Sequence, residues 1–248
     1  MRKFSSRILT VLFVPFFMVM FSPINSFATP STQIWIPSTD TQPFKTIHLG
    51  VDNYTTVMKD KKDGGHDLPL TMGATVGVLD TPDIGIEVGI DLREPTDNPV
   101  YYNAKVQIKE DSLYSFFPAI AIGGYDFGTE SNATDFNITY VLAAKTLPVL
   151  GRVSLGYYVG NKDLLVDKNG AEANDGMLAS YDRTLAEIDD RLWIAVDYMS
   201  GDNAYGALSI GFAWRFSPNI SALLGYTSFN DEEVAGDSVM TIQFDMDF

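Results

Sequence analysis

Cysteine is absent from the 248 residues, which removes disulfides and thiolate metal sites. Histidine is almost absent: His48 and His66 are the only two. Basic side chains are scarce, with 17 Lys and Arg against 32 Asp and Glu and a net charge of −15. That balance argues against nucleic acid or an anionic membrane surface as partner. After Phe21 no apolar run approaches the ~20 residues that a spanning helix needs, so a membrane location would require a closed barrel, because open sheet edges are unsatisfied in lipid.

The N-terminus addresses the compartment. Met1 to Arg7 is basic, Ile8 to Phe21 is apolar but broken by Pro15, and Ser26-Phe27-Ala28 is a small-x-small cleavage site. Residues 1–28 therefore read as a secretory signal peptide, cleaved after Ala28. The run is too short for an anchor. Cleavage removes Arg2, Lys3 and Arg7 and leaves 14 basic residues against 32 acidic ones, a net charge near −18. Residues 29–44 hold three prolines and the cluster Ile34-Trp35-Ile36. They read as a periplasmic N-terminal extension, a small plug, or a disordered leader. Residues 45–248 form one domain.

In that domain apolar and polar residues alternate at the period of a strand. Ile84, Ile86, Val88, Ile90 and Leu92 interleave with Gly85, Glu87, Gly89, Asp91 and Arg93. About twelve strands are predicted: 45–57, 68–79, 83–93, 99–109, 115–127, 136–147, 150–160, 176–187, 191–200, 204–217, 219–229 and 237–248. The faces of the eighth are not assigned. These lengths suit the ~9–11 tilted residues that cross a bilayer. Mean hydropathy is near zero at +0.02, as expected when only alternate residues face lipid.

Connections alternate in length. Asp80–Asp83, Leu147–Leu150, Glu187–Asp190 and Ser217–Asn219 are tight turns, whereas 58–67, 94–98, 128–135, 161–175 and 230–236 are longer polar loops. Aromatic residues near strand ends, among them Tyr54, Tyr101, Tyr102, Tyr140, Phe216 and Phe229, read as interfacial girdles.

The last strand is the sharpest signal. From Met240 to Phe248 the residues alternate without a slip, and the chain stops on an aromatic residue. This segment resembles the closing strand of bacterial outer-membrane β-barrel proteins of the porin-like superfamily. The resemblance implies an all-β fold, a transmembrane antiparallel up-and-down β-barrel of about 12 strands with periplasmic N- and C-termini. It implies outer-membrane lipids and lipopolysaccharide as surroundings. It also implies recognition of Phe244 and Phe248 by the outer-membrane assembly machinery.

With the polar face inward, the lumen-lining residues are His48, Asp52, Glu87, Asp91, Arg93, Asn103, Lys105, Gln107, Lys145, Arg152, Asp197, Arg215, Asp245 and Asp247. Acids and bases nearly balance there, and Glu87 is placed to pair with Lys105 on the next strand. Inward glycines such as Gly73, Gly77, Gly85 and Gly211 argue for open space. Two functions fit: a passive channel for small polar solutes, or a non-conducting structural or surface-interaction barrel with an ion-paired, filled lumen. No catalytic residue, metal ligand set or cofactor is assigned. His48 with Asp52 could orient a base, but no nucleophile is spaced beside it. Asp167-Lys-Asn-Gly170 lacks the further ligands of a calcium loop and reads as a solvated turn. Deleting Phe248 is expected to lower the folded, heat-modifiable form recovered from membranes. Normal yield of the truncated chain would remove the basis for the resemblance.

Overall fold

The computed structural model describes residues 31–56, 59 and 65–248. The expected signal peptide, residues 1–28, and most of loop 58–67 lie outside the described residues. Twelve strands run in chain order: β1 Ile47–Thr55, β2 Leu70–Asp80, β3 Ile84–Glu94, β4 Val100–Ile108, β5 Ala119–Gly128, β6 Asp135–Leu147, β7 Gly151–Val159, β8 Asp175–Thr184, β9 Leu192–Met199, β10 Ala207–Ser217, β11 Ile220–Phe229 and β12 Val239–Asp247. Each pairs antiparallel with its chain neighbours. β1 pairs with β12, from His48 opposite Asp247 to Thr55 opposite Met240, and closes the barrel. Phe248 extends that seam: its N–H donates to the Ile47 carbonyl at 2.9 Å, and the Ile47 N–H donates to its carbonyl at 3.0 Å.

Strand boundaries move where turn chemistry wins. β5 starts at Ala119 rather than 115. Pro118 has no N–H to give to a ladder, Phe116 sits at positive φ, and Asp111 N–H closes the turn on the Phe117 carbonyl. β8 stops at Thr184 rather than 187, because Leu185 to Asp189 folds into a turn. β10 starts at Ala207 rather than 204, since the Asn203 side chain accepts from the Tyr205 and Gly206 amides. Asp167 accepts the amides of Asn169 and Ala171, each at 2.8 Å. Those two donors hold its carboxyl below the usual range.

Outward side chains form an apolar belt. Leu49 and Val51 on β1, Val88 and Ile90 on β3, Leu155 on β7, Ile210 on β10 and Phe244 on β12 are all exposed. Tyr102, Tyr157, Phe216 and Tyr226 join them near the strand ends. The girdle expectation fails for Tyr54, Tyr101, Tyr140 and Phe229, which are buried inside. They pack on luminal residues instead of meeting lipid.

The inside is divided. On β6 to β11 the inward residues are largely apolar, among them Leu142, Leu178, Trp193, Met199 and Leu223. On β12 and β1 to β4 they are mostly polar, among them Gln243, Asp52, Thr75, Glu87 and Lys105. Leu155, 58% exposed at the middle of β7, tests the belt. Leu155→Arg is expected to destabilise the barrel in phospholipid by roughly 2–4 kcal/mol, read from denaturant unfolding in vesicles. An unchanged midpoint would mean that this face does not meet lipid.

Candidate functional site

Residues 31–44 enter the lumen and contact nearly the whole wall. The segment opens with a tight hairpin. Thr32 bridges Pro37, and the Gln33 amide donates to the Ile36 carbonyl at 2.8 Å. Ile34 and Trp35 form its tip. The chain then descends to the short-turn end, where Phe44 bridges Gly77 beside the start of β1.

Its apolar side chains face the apolar half of the wall. Ile34 packs with Trp193, Ala195, Ala213 and Leu223, and Ile36 with Ile138, Leu142, Leu178 and Met199. Both are essentially unexposed. Burying a side chain of this size contributes about 1.5–3 kcal/mol. Trp35 stands edge-on to Tyr54 and Phe229 at 5.4 and 5.6 Å, and its Nε1 donates to the Tyr205 carbonyl at 2.8 Å.

Some of the inward glycines, expected to leave open space, instead make room for this segment. A Cβ at Gly77 would collide with the backbone of Gln42 and Pro43, and one at Gly85 with the Thr41 side chain. At Gly225 the space is taken by Ile34, and at Gly211 Ile34 closes in beside the backbone of Leu224 and Gly225.

The predicted luminal residues divide by what they hold. Asp197 on β9 accepts the Ile34 and Trp35 amides at 2.7 and 2.9 Å and so caps the hairpin tip. Glu87 accepts the Gln42 amide at 2.7 Å and the Ser31 hydroxyl at 3.0 Å. Lys105 lies 3.1 Å from Glu87, with both side chains buried, and also donates to the Ser31 and Ser38 carbonyls. Arg152 pairs with Asp40 of the segment and, at 2.9 Å, with Asp182. Gln107 accepts from the Thr41 hydroxyl at 3.0 Å.

Others bond within the wall. His48 lies 2.8 Å from Asp247 and 3.3 Å from Asp245, across the β1–β12 seam. Its carboxylate partners are thus on the last strand, and Asp52 is not one of them. Arg93 pairs with Asp126 at 2.6 Å and covers the Tyr101 ring at 4.4 Å. Asn103 donates to Asp91 at 3.0 Å. Arg215 reaches the Asp190 carbonyl at 3.3 Å near the short-turn end.

Lys145 is a correction. It pairs in register with Val153, an outward residue, and its ammonium lies 2.9 Å from Glu110 and 2.7 Å from Asp111. On β6 the inward set is Ile138, Tyr140, Leu142 and Ala144. Apolar residues take the lumen side there because Ile36 lies against them, which inverts the polar-in rule.

Asp126 and Asp182 are luminal residues that pattern reading did not find. Asp126 sits at φ 56°, where the β5–β6 register shifts, so strand parity mispredicts its face. Asp182 lies on β8, whose alternation gave no face. Gln243 stands on the apolar-polar alternation of β12 and donates to the Ile34 carbonyl at 2.9 Å.

Beside the segment, against the polar half of the wall, lies a cavity of about 440 Å³. Asp52, Asp91, Tyr101 and Tyr140 line it, with Trp35 of the hairpin opposite.

No sequence family matches the chain, and no curated protein matches it. Solved structures do. KdgM porin is similar with a TM-score of 0.54 at 8% identity, over 81% of this chain and 99% of that one. KdgM porin in complex with disordered oligogalacturonate is similar with a TM-score of 0.51 at 8% identity, over 82% and 99%. The chain has the closed, antiparallel barrel fold of these porins.

The Glu87–Lys105 pair should behave as a buried one. Glu87→Gln is expected to cost roughly 3–5 kcal/mol by leaving Lys105 without its counter-charge, and adding Lys105→Met to recover most of it. Thermal melts of the two variants check this. A single variant as stable as wild type would mean that the pair is hydrated and the segment loosely held.

Proposed function

We propose that the protein is a porin-like channel of the bacterial outer membrane, and that residues 31–44 are its gate. The observation that carries this is the mixed luminal contact. The segment closes the barrel on its apolar side, while a cavity lined by both charged and aromatic side chains persists on the other. A lumen meant only to be filled, by apolar packing or by ion pairs, would leave no such space. A wall meant to conduct keeps polar groups along a path. The signal peptide expected at residues 1–28, the apolar belt and the porin fold of the neighbours support the outer-membrane location. Lipopolysaccharide and lipid then surround the belt, and the acidic loops face outward from it.

The solutes are small and polar. Oligogalacturonate, named with one KdgM structure, is a polyanion. Asp52 and Asp91 on the cavity wall oppose such a ligand, so that specificity does not carry over.

A second reading, a non-conducting structural barrel, is favoured by the buried Glu87–Lys105 pair. A disulfide lock separates the two. A Cβ at Gly225 would lie 3.0 Å from Ile34 Cγ2, which puts the two Cβ atoms within reach of the ~3.5–4.5 Å separation a disulfide needs. The chain has no cysteine to compete. The Ile34→Cys, Gly225→Cys variant is expected to be silent in a planar bilayer when oxidised, and to conduct after reduction. Equal current in both states would mean that solutes pass beside a fixed segment. Silence of wild type and of the reduced variant would leave the structural reading.

A further inference from the structure

We infer that the luminal cavity binds a small organic cation carrying one or two ammonium groups. This rests on the reading of the lumen as a solute path and names the solute's chemistry.

Charge pairing in the cavity is incomplete. Five carboxylates line the cavity: Asp52, Glu87, Asp91, Asp126 and Asp245. Three bases line it, and each is engaged. Lys105 is 3.1 Å from Glu87, Arg93 is 2.6 Å from Asp126, and His48 bridges Asp245 and Asp247. Asp52 and Asp91 remain. Among the described residues Asp91 accepts a hydrogen bond from the neutral Asn103 amide, at 3.0 Å, and forms no ion pair, Arg93 and His48 acting on it from farther off. Asp52 has no hydrogen-bond or ion-pair partner among the described residues.

The two stand on either side of β2. Asp52 is in register with Thr71, and Asp91 with Gly73 two residues along. Gly73 matters here. A Cβ at that position would come 2.7 Å from the Asp91 carboxylate, so the missing side chain keeps this stretch of wall open. Two carboxylates held near each other in a low-dielectric space repel, and bringing in a cation relieves both.

The rest of the lining selects an organic cation over a bare ion. Trp35, Tyr54 and Tyr140 bring ring surface to the same cavity, and ring faces attract ammonium groups. Among the described residues no group of three ligating side chains is arranged to hold a metal ion. The volume of about 440 Å³ falls in the ~300–1,000 Å³ range of small-molecule pockets.

The test is calorimetric titration of the refolded full chain in an uncharged detergent. The probes are choline and 1,4-diaminobutane, with glucose, galacturonate and calcium chloride as comparisons. Saturable binding of the two amines alone is expected. Asp52→Asn with Asp91→Asn is expected to weaken it about tenfold or more, the scale of hydrogen bonds to a charged group. Heat-modifiable migration and melting should be retained, since neither substitution breaks an ion pair. If the double variant does not fold, Asp52→Asn alone serves, because that side chain makes no hydrogen bond or ion pair among the described residues.

Absence of amine binding up to about 10 mM, well into the millimolar Kd range, overturns the inference. So does amine binding that survives the substitutions, or equal binding of galacturonate. Binding of calcium alone points to a metal site and overturns it too. The channel reading fails separately: a silent bilayer with intact choline binding sinks the channel and leaves the cation site standing. Current with no choline binding does the reverse.

Discussion

A strand edge in hydrocarbon leaves a row of N–H and C=O groups with no partner, at several kcal/mol each. Here the row is removed by one pairing, β1 on β12, that joins the two ends of a twelve-strand meander. The other features depend on it. The belt is continuous only because the sheet has no edge, and the lumen is enclosed only because the belt is continuous. The seam also carries its own charges. His48 on β1 meets Asp245 and Asp247 on β12, so the register that closes the ladder also sets this cluster.

Within the enclosure, two kinds of wall meet one short segment. The apolar wall of β6 to β11 receives Ile34 and Ile36. The polar wall contributes Glu87 and Lys105 to its backbone, and Asp197 reaches the hairpin tip from the other side. Charged acceptors for backbone amides make strong hydrogen bonds: Asp197 takes the Ile34 and Trp35 amides, and Glu87 the Gln42 amide. Where the segment does not fill the polar wall, the cavity remains. Its position follows from the shape of the hairpin: the tip leans toward β9 to β12 and leaves the stretch of β1 to β3 around Asp52 and Asp91 uncovered.

Much of this was legible in the residues. Strand number, order and most faces followed from the period of two, because one-sided burial makes that period strict. The Glu87–Lys105 pair was legible for the same reason, as neighbouring strands put same-face residues opposite each other. Asp182, on a strand with no clear alternation, was not, and neither were three other things. Asp126 turned inward through a bulge, which shifts parity by one without a signature in its neighbours. Lys145 turned outward because Ile138, Tyr140, Leu142 and Ala144 took the lumen side, and alternation alone does not say which face is wet. The luminal role of residues 31–44 lay open because proline-rich segments have no period to read. Its cue was in the wall instead. Gly77, Gly85, Gly211 and Gly225 are the prints of a segment that packs against backbone, and a lumen lined by glycine is as consistent with an occupant as with water.

The hairpin tip also bears on the order of assembly. Ile34 touches Asp197 on β9, Gln243 on β12, and Gly211 and Gly225 between them. None of these strands has been translated when residues 31–44 emerge, and their inward faces converge only after β12 has joined β1. The segment is thus an internal ligand of the finished cylinder and has nothing to bind on an open sheet. By mass action, whatever binds only the finished form draws the equilibrium toward it. Residues 31–44, translated before every strand, are in this sense the last to find their place, and their docking locks a ring that β12 completes.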